Sequence, residues 1–189
     1  MKHTHRTHLR VLAIAPSTRG FGFAVLEGQE TLVDWGVKSV KKEKNTRCVA
    51  KVEELIAHYQ PGLIVLEDSS VKDARRAIRM QALTQQIIAM ASNRKLSVAL
   101  ISRQQVRRIF VSDGEGTKHA IAEILAARFP EELGFRLPPE RRPWMSEDYR
   151  MNIFDAVALA IASRLLRTKK VVLNPLNNGE NGSSMGGDE

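Results

Sequence analysis

Apolar positions in this chain form compact runs near its start and helical stripes further on. Leu9 to Ala15 (LRVLAIA) is a short apolar run ending at Pro16, the pattern of a buried strand. The turn PSTRG follows, then GFAVLEG as a second strand. TLVDWGV makes a third, with alternation placing Thr31, Val33, Trp35 and Val37 on one face. Three strands joined by short turns predict an antiparallel meander. Lys38 to Arg47 reads as a basic connection. Val49, Val52, Leu55, Ile56 and Tyr59 then recur at helical spacing until Pro61-Gly62 stops the helix. LIVLE (63–67) is an apolar strand ending in a carboxylate, a helix is predicted over 75–92, and SVALIS (97–102) is a further strand. Strand–helix–strand order here implies parallel pairing with helices on the sheet faces.

The remainder is helical apart from two irregular stretches. SRQQVRRIF (102–110) predicts a short helix and VSDGEG a Gly-rich loop. Thr117 can cap the next helix, whose core face is Ile121, Ile124 and Leu125. LPPERRPW (137–144) is a Pro-rich loop, and a last helix is predicted over 146–167. The fold class is therefore α/β: a mixed five-stranded sheet, three antiparallel strands then two parallel, flanked by helices. One domain is expected over 9–170, between a disordered basic arm (1–8) and a disordered tail (171–189).

Composition narrows the function. At 189 residues, 43% hydrophobic and 26% charged, the chain has the makeup of one globular domain. No apolar run approaches the roughly 20 residues that span a bilayer. The start, MKHTHRTHLR, has no apolar core of the secretory kind, so no signal segment and no membrane partner are expected. The one cysteine, Cys48, excludes an intrachain disulfide and fits a cytoplasmic location. Net charge is +8; Glu180, Asp188 and Glu189 are the charged residues of 171–189, so the preceding 170 residues carry +11. A body that basic predicts a polyanionic partner, nucleic acid first among them.

Two carboxylates stand in apolar surroundings: Glu67 at the end of LIVLE, and Asp155 inside IFDAVALAIA. Taken singly, each is better read as a salt-bridged group or a strand-end carboxylate facing water; together, in this order, they mark a site. The arrangement resembles the RuvC family of Holliday-junction resolvases, within the ribonuclease H-like superfamily. LAIAPSTRGFGFAVLEG resembles that family's opening strand, turn and second strand. PGLIVLE resembles the strand that presents its second acid, and SVALISRQQVRRIF with GTKHAIAEILAARF resembles the elements that follow. NIFDAVALAIAS resembles its final helix, and the likeness covers about residues 9–167.

The resemblance implies four carboxylates holding two Mg²⁺ or Mn²⁺ ions about 4 Å apart for phosphodiester cleavage. Here the first strand ends in Ala15 where the family has Asp, and Asn152 replaces the first acid of the last helix, so Glu67 and Asp155 remain. Asp148, Asn152 and Asp155 fall at i, i+4 and i+7, which puts Asp148 on the same helix face as a substitute ligand; a helix N-terminal role for Ser146, Glu147 and Asp148 explains it equally well. Asp68 alternates to the other sheet face, and Asp34 and Asp73 read as surface residues.

The basic residues gather around these positions in the sequence. Arg75, Arg76 and Arg79 open one helix, and Arg103, Arg107 and Arg108 follow SVALIS. The resemblance assigns Arg107 and Lys118 to the neighbourhood of the scissile phosphate, with Lys118 stabilising transition-state charge. Lys38, Lys41, Lys42 and Lys44 read as a mobile basic loop. The family's wedge aromatic after the second acid corresponds to Ser70 here. Trp144 and Phe110 are expected in core or loop packing rather than on bases. The sequence thus predicts a RuvC-like protein that binds branched or duplex DNA, with metal-dependent cleavage impaired. The alternative is an active Mg²⁺- or Mn²⁺-dependent endodeoxyribonuclease whose ligands are Glu67, Asp155, Asn152 and Asp148. A nucleotide phosphotransferase is a distant third, since that class needs two such domains. The resemblance also implies a homodimer.

Overall fold

The computed structural model describes residues 9–68, 75–111 and 116–166, with backbone alone at 75–77. The expected arm and tail, most of the Gly-rich loop, Ser70 and Asp73 lie outside the described residues. The element order is β1 (Arg10–Ser17), β2 (Gly20–Glu27), β3 (Thr31–Ser39), α1 (Lys44–Tyr59), β4 (Leu63–Glu67), α2 (Arg75–Asn93), β5 (Ser97–Ile101), α3 (Arg103–Phe110), α4 (Lys118–Arg128), α5 (Pro130–Leu133), a 3₁₀ turn (Gly134–Arg136) and α6 (Met151–Leu165). The sheet runs β3-β2-β1-β4-β5, antiparallel among β1, β2 and β3 and parallel from β1 through β4 to β5. That is the mixed sheet the sequence predicts.

β1 lies at the centre of the sheet and is buried on both faces, which is why its sequence is a continuous apolar run. Leu12 and Ile14 pack under α1 and α2 with Ile64 and Leu66 of β4. Val11, Ala13 and Ala15 face the other way, into a cluster with Val65, Ala24 and most of α6. α6 is buried almost all round, because α4 and α3 cover the side that the sheet does not. Ten of its side chains, Met151, Ile153, Phe154 and Ala156 to Ala162, are buried, four of them alanines. Small residues on both partners let helix and sheet come close.

Closest approach is at Gly22. A Cβ built there would sit 1.9 Å from the Asn152 carbonyl oxygen and 2.9 Å from the Asn152 Cβ. Gly22 pairs with Ala15 across β1 and β2, so the first turn of α6 rests on a floor of one glycine and one alanine.

Several sequence expectations need correction. β1 continues through Pro16 to Ser17; pairing with β4 stops at Ile14–Leu66, so Pro16 has only β2 beside it and its missing N–H costs no ladder bond. Simple alternation fails in β3. The register jumps from Val25–Asp34 to Leu26–Leu32, leaving Val33 as a bulge. Leu32 therefore joins Trp35 and Val37 against the α6 cluster, while Thr31 and Val33 are exposed. The basic connection is shorter than expected: Lys38 lies in β3 with its ammonium over the Phe23 ring, and Lys44 opens α1. On α4, Ile121 and Leu125 are buried with Ala122 and Ala126, but Ile124 is exposed. α6 begins at Met151, not near Ser146. Phe110 is partly buried against the core, whereas Trp144 is exposed.

The close approach makes a prediction. Gly22→Ala forces the backbone of α6 away from the sheet and should destabilise the protein by about 3 kcal/mol or more. Gly134→Ala, with nothing within 4 Å of its Cβ and a helical φ of −54°, should be neutral or stabilising by up to about 1 kcal/mol. Urea denaturation of the two variants checks the contrast.

Candidate acidic site and its basic rim

The α6-facing side of the sheet collects the acidic residues. Glu67 follows Val65 by two positions in β4, so it points to the α6 side with Ala15. Continuing the β1–β4 register one step past Ile14–Leu66 brings Glu67 beside Ala15. Asp155 reaches the same region from α6, and the charge of Glu67 acts on it. Glu67 and Asp155 therefore lie within electrostatic reach of one another, and both act on Arg103. Ala15 is 1% exposed and brings no donor; Asn152 is half-buried with its backbone over Gly22.

Two cations hold the acids. Arg103, the first residue of α3, donates from Nε to Glu67 Oε1. A capping box fixes where α3 starts: the Gln105 N–H donates to Ser102 Oγ at 3.2 Å, and the Ser102 N–H to Gln105 Oε1 at 2.8 Å. Lys118, the first residue of α4, donates from Nζ to Asp155 Oδ2 at 2.6 Å and pairs with Glu147 Oε1 at 3.0 Å. Thr117 caps α4 by accepting the Ala120 N–H at 3.1 Å, as expected from the sequence.

Glu147, for which the sequence predicts only a helix N-terminal role, is the third carboxylate of the cluster. Since α6 starts at Met151, residues 146–150 lie before the helix and can return Glu147 to the start of α4. No periodicity signals this; the one hint in the sequence is the basic residue at the start of α4.

Asp148, expected on the α6 face, lies in that same segment. Its Oδ1 accepts from Arg150 N and Nε at 2.9 and 3.1 Å, and its Oδ2 from Arg150 Nη2 at 2.7 Å. Those hydrogen bonds hold its carboxyl below the ordinary range. The i, i+4, i+7 relation does not apply to it, because the helix does not reach that far. Asp34 is likewise engaged, accepting from the Trp35 N–H and the Tyr59 hydroxyl.

The rim is narrower than expected. Arg103 and Arg107 share a face of α3 one turn apart, and Arg107 and Arg108 are exposed. Arg79 does not join them. It is half-buried on the α1 and α2 side, where its Nη2 donates to the Ser17 carbonyl and Asn45 Nδ2 donates to the Arg79 carbonyl at 3.3 Å. The side chains of Arg75 and Arg76 lie outside the described residues.

Burial is the largest single influence on these groups, yet it sets the direction only for Asp155. It pushes the Asp155 carboxyl up; Lys118 opposes this, while Glu67 and Glu147 reinforce it, and the net direction is up. Burial works to lower the Lys118 ammonium, but Asp155 and Glu147 more than compensate, and its net direction is also up. For Arg103 burial is again outweighed, chiefly by Glu67. Three carboxylates thus face two cations.

The donor set does not fit two divalent ions as it stands. Ala15 offers no oxygen, and Glu67 and Asp155 are bonded to Arg103 and Lys118. Among the described residues, no group of three or more His, Cys, Asp or Glu side chains is placed to hold a metal ion.

No protein-family model matches the chain, and no curated protein matches it in sequence. Solved structures do match. Thermus thermophilus RuvC in complex with Holliday junction substrate superposes with a TM-score of 0.65 at 19% identity, covering 87% of this chain and 100% of that one. A second Thermus thermophilus RuvC structure gives 0.63 at 19%, covering 86% and 100%. The class is thereby defined: this is an α/β chain of ribonuclease H-like architecture. More particularly, its fold is that of RuvC, as its sequence resemblance implies. Among the described residues no helix is long and apolar enough to cross a membrane.

Removing Lys118 exposes the balance of charge. Asp155, with its raised value, contributes stability that is complete below the ordinary 3.8 and is lost as pH rises through the folded value. Lys118→Met raises that value further, because the cation that opposed the rise is gone. The variant should lose about 2 kcal/mol at pH 7 and markedly less at pH 4, as read from urea denaturation at the two pH values.

Proposed function

We propose that this chain is a RuvC-like DNA-binding protein that engages branched or duplex DNA, and that Ala15 and Asn152 leave its metal-dependent phosphodiester cleavage impaired. One observation carries the reading: the acids that remain are neutralised by the protein's own Arg103 and Lys118. A divalent ion entering there has to displace a bonded cation, and three carboxylates less two cations leave too little negative charge for two such ions. Arg107 and Arg108, exposed on α3 just past the C-terminal end of β5, are the cations beside the site that can take up phosphates. A RuvC of this fold has been solved with a Holliday junction, which supports a branched substrate here. The protein is proposed to act in the cytoplasm as a homodimer, because a four-way junction presents two related strands. The outer face of α2, with Ala82, Gln85, Gln86 and Ala89 exposed and uncharged, suits a second copy.

Glu147 favours a second reading, an active Mg²⁺- or Mn²⁺-dependent endodeoxyribonuclease with a rearranged acidic site. Glu67, Asp155 and Glu147 would be its carboxylate ligands and Asn152 a neutral one, once Arg103 and Lys118 turn to phosphate oxygens. Asp148 does not belong to that set, because Arg150 holds both its oxygens.

Incubating the protein with four-way junction and duplex DNA, with and without Mn²⁺, separates the two. The first reading expects binding that weakens steeply with salt, no cutting, and cutting restored by Ala15→Asp with Asn152→Asp. Cutting by the unaltered chain establishes the second. Salt-independent binding overturns both. Arg107→Ala should weaken binding to all sequences alike and reduce the log–log salt slope by about 1.

A further inference from the structure

Trp144 is 76% exposed, the most exposed large apolar side chain among the described residues. An indole so placed forgoes burial that a core position would give it, and no core residue covers it. It stands on a braced turn. The Met145 N–H donates to the Arg142 carbonyl at 2.9 Å, closing the turn Arg142-Pro143-Trp144-Met145, and Pro143 occupies the position that favours proline. The Arg141 guanidinium donates from Nε to the Met145 carbonyl at 2.6 Å. The Arg142 guanidinium lies 5.8 Å from the Trp144 ring centroid. The indole is thus held out to solvent with two arginines beside it.

The turn is tied to the acidic site. Glu147, three residues on, is bonded to Lys118, so the Trp144 Cα lies within about 11 Å of the Glu147 Cα by chain length alone. Tyr149, two residues past Glu147 in the chain, is 56% exposed. An exposed ring with guanidinium groups beside it can stack on a base while the charges meet the flanking phosphates.

We infer that the Arg141–Met145 turn is a subsite for unpaired DNA, in which Trp144 stacks on a base that has left its helix and Arg141 and Arg142 take the flanking phosphates. The inference rests on the DNA-binding reading above and adds what that reading lacks, a group that distinguishes opened from fully paired DNA. A fully paired duplex buries its base faces and offers Trp144 nothing to stack on.

The test compares a duplex carrying a short single-stranded gap with the same duplex fully paired. Trp144→Ala should weaken binding to the gapped DNA by about 5- to 150-fold and leave the paired duplex within about twofold; Trp144→Tyr should restore most of the loss. In a Trp35→Phe background, the fluorescence of Trp144 should be quenched by gapped DNA and not by paired duplex. Trp144 is exposed, so unchanged circular dichroism of the alanine variant checks that the fold is intact. Equal losses on both DNAs, or none, overturn the subsite while leaving DNA binding in place. Failure of the unaltered protein to bind either DNA removes the DNA reading itself. A blue shift of Trp144 that grows with protein concentration in the absence of DNA assigns the turn to a second copy and overturns the subsite.

Discussion

Everything at the acidic site depends on how closely α6 lies against β1 and β2. The first turn of the helix rests its Asn152 carbonyl where any side chain at position 22 would have to stand. Alanines 13, 15 and 24 floor the rest of the contact, and the alanines of α6 meet them. This proximity brings Asp155, one turn along the helix, within electrostatic reach of Glu67 on β4. Backbone approach is set by the smallest side chains at an interface, so a few glycines and alanines govern the distance between carboxylates they never touch.

The same constraint bears on the two positions where the RuvC resemblance implies acids. Ala15 and Asn152 stand where helix and sheet are tightest, and Ala15 belongs to the hydrophobic core. The other side holds Glu67, Asp155 and Glu147 and sets Arg103 and Lys118 against them. An unpaired carboxylate at that depth is costly, and fixing cations at the capped starts of two helices is a direct remedy. A site ordered in this way holds its basic groups close to where phosphates approach, which is why binding is the function we propose first.

Where structure and sequence pattern part, the causes are definite. Nothing between Ser146 and Met151 breaks helical pattern, yet the Asp148 side chain prefers the backbone and guanidinium of Arg150, and the helix starts after it. The place of Arg79 in the chain suits the rim, but the helix turns it toward Ser17. One bulged residue in β3, Val33, shifts the alternation by one.

The sequence by itself determined the order of the five strands and the longer helices, the mixed sheet, and the placing of Glu67 at a strand end and Asp155 within an apolar helix, because apolar periodicity and strand ends are local properties of the chain; the short α5 and the 3₁₀ turn after α4 carry no such pattern. Only the tertiary structure decided that Glu147 rather than Asp148 completes the acidic cluster, that Arg103 and Lys118 neutralise it, and that Trp144 faces solvent. These are facts about which distant segments meet. They follow from packing distances and loop paths, to which side chains remote in the sequence contribute, and no local pattern encodes them.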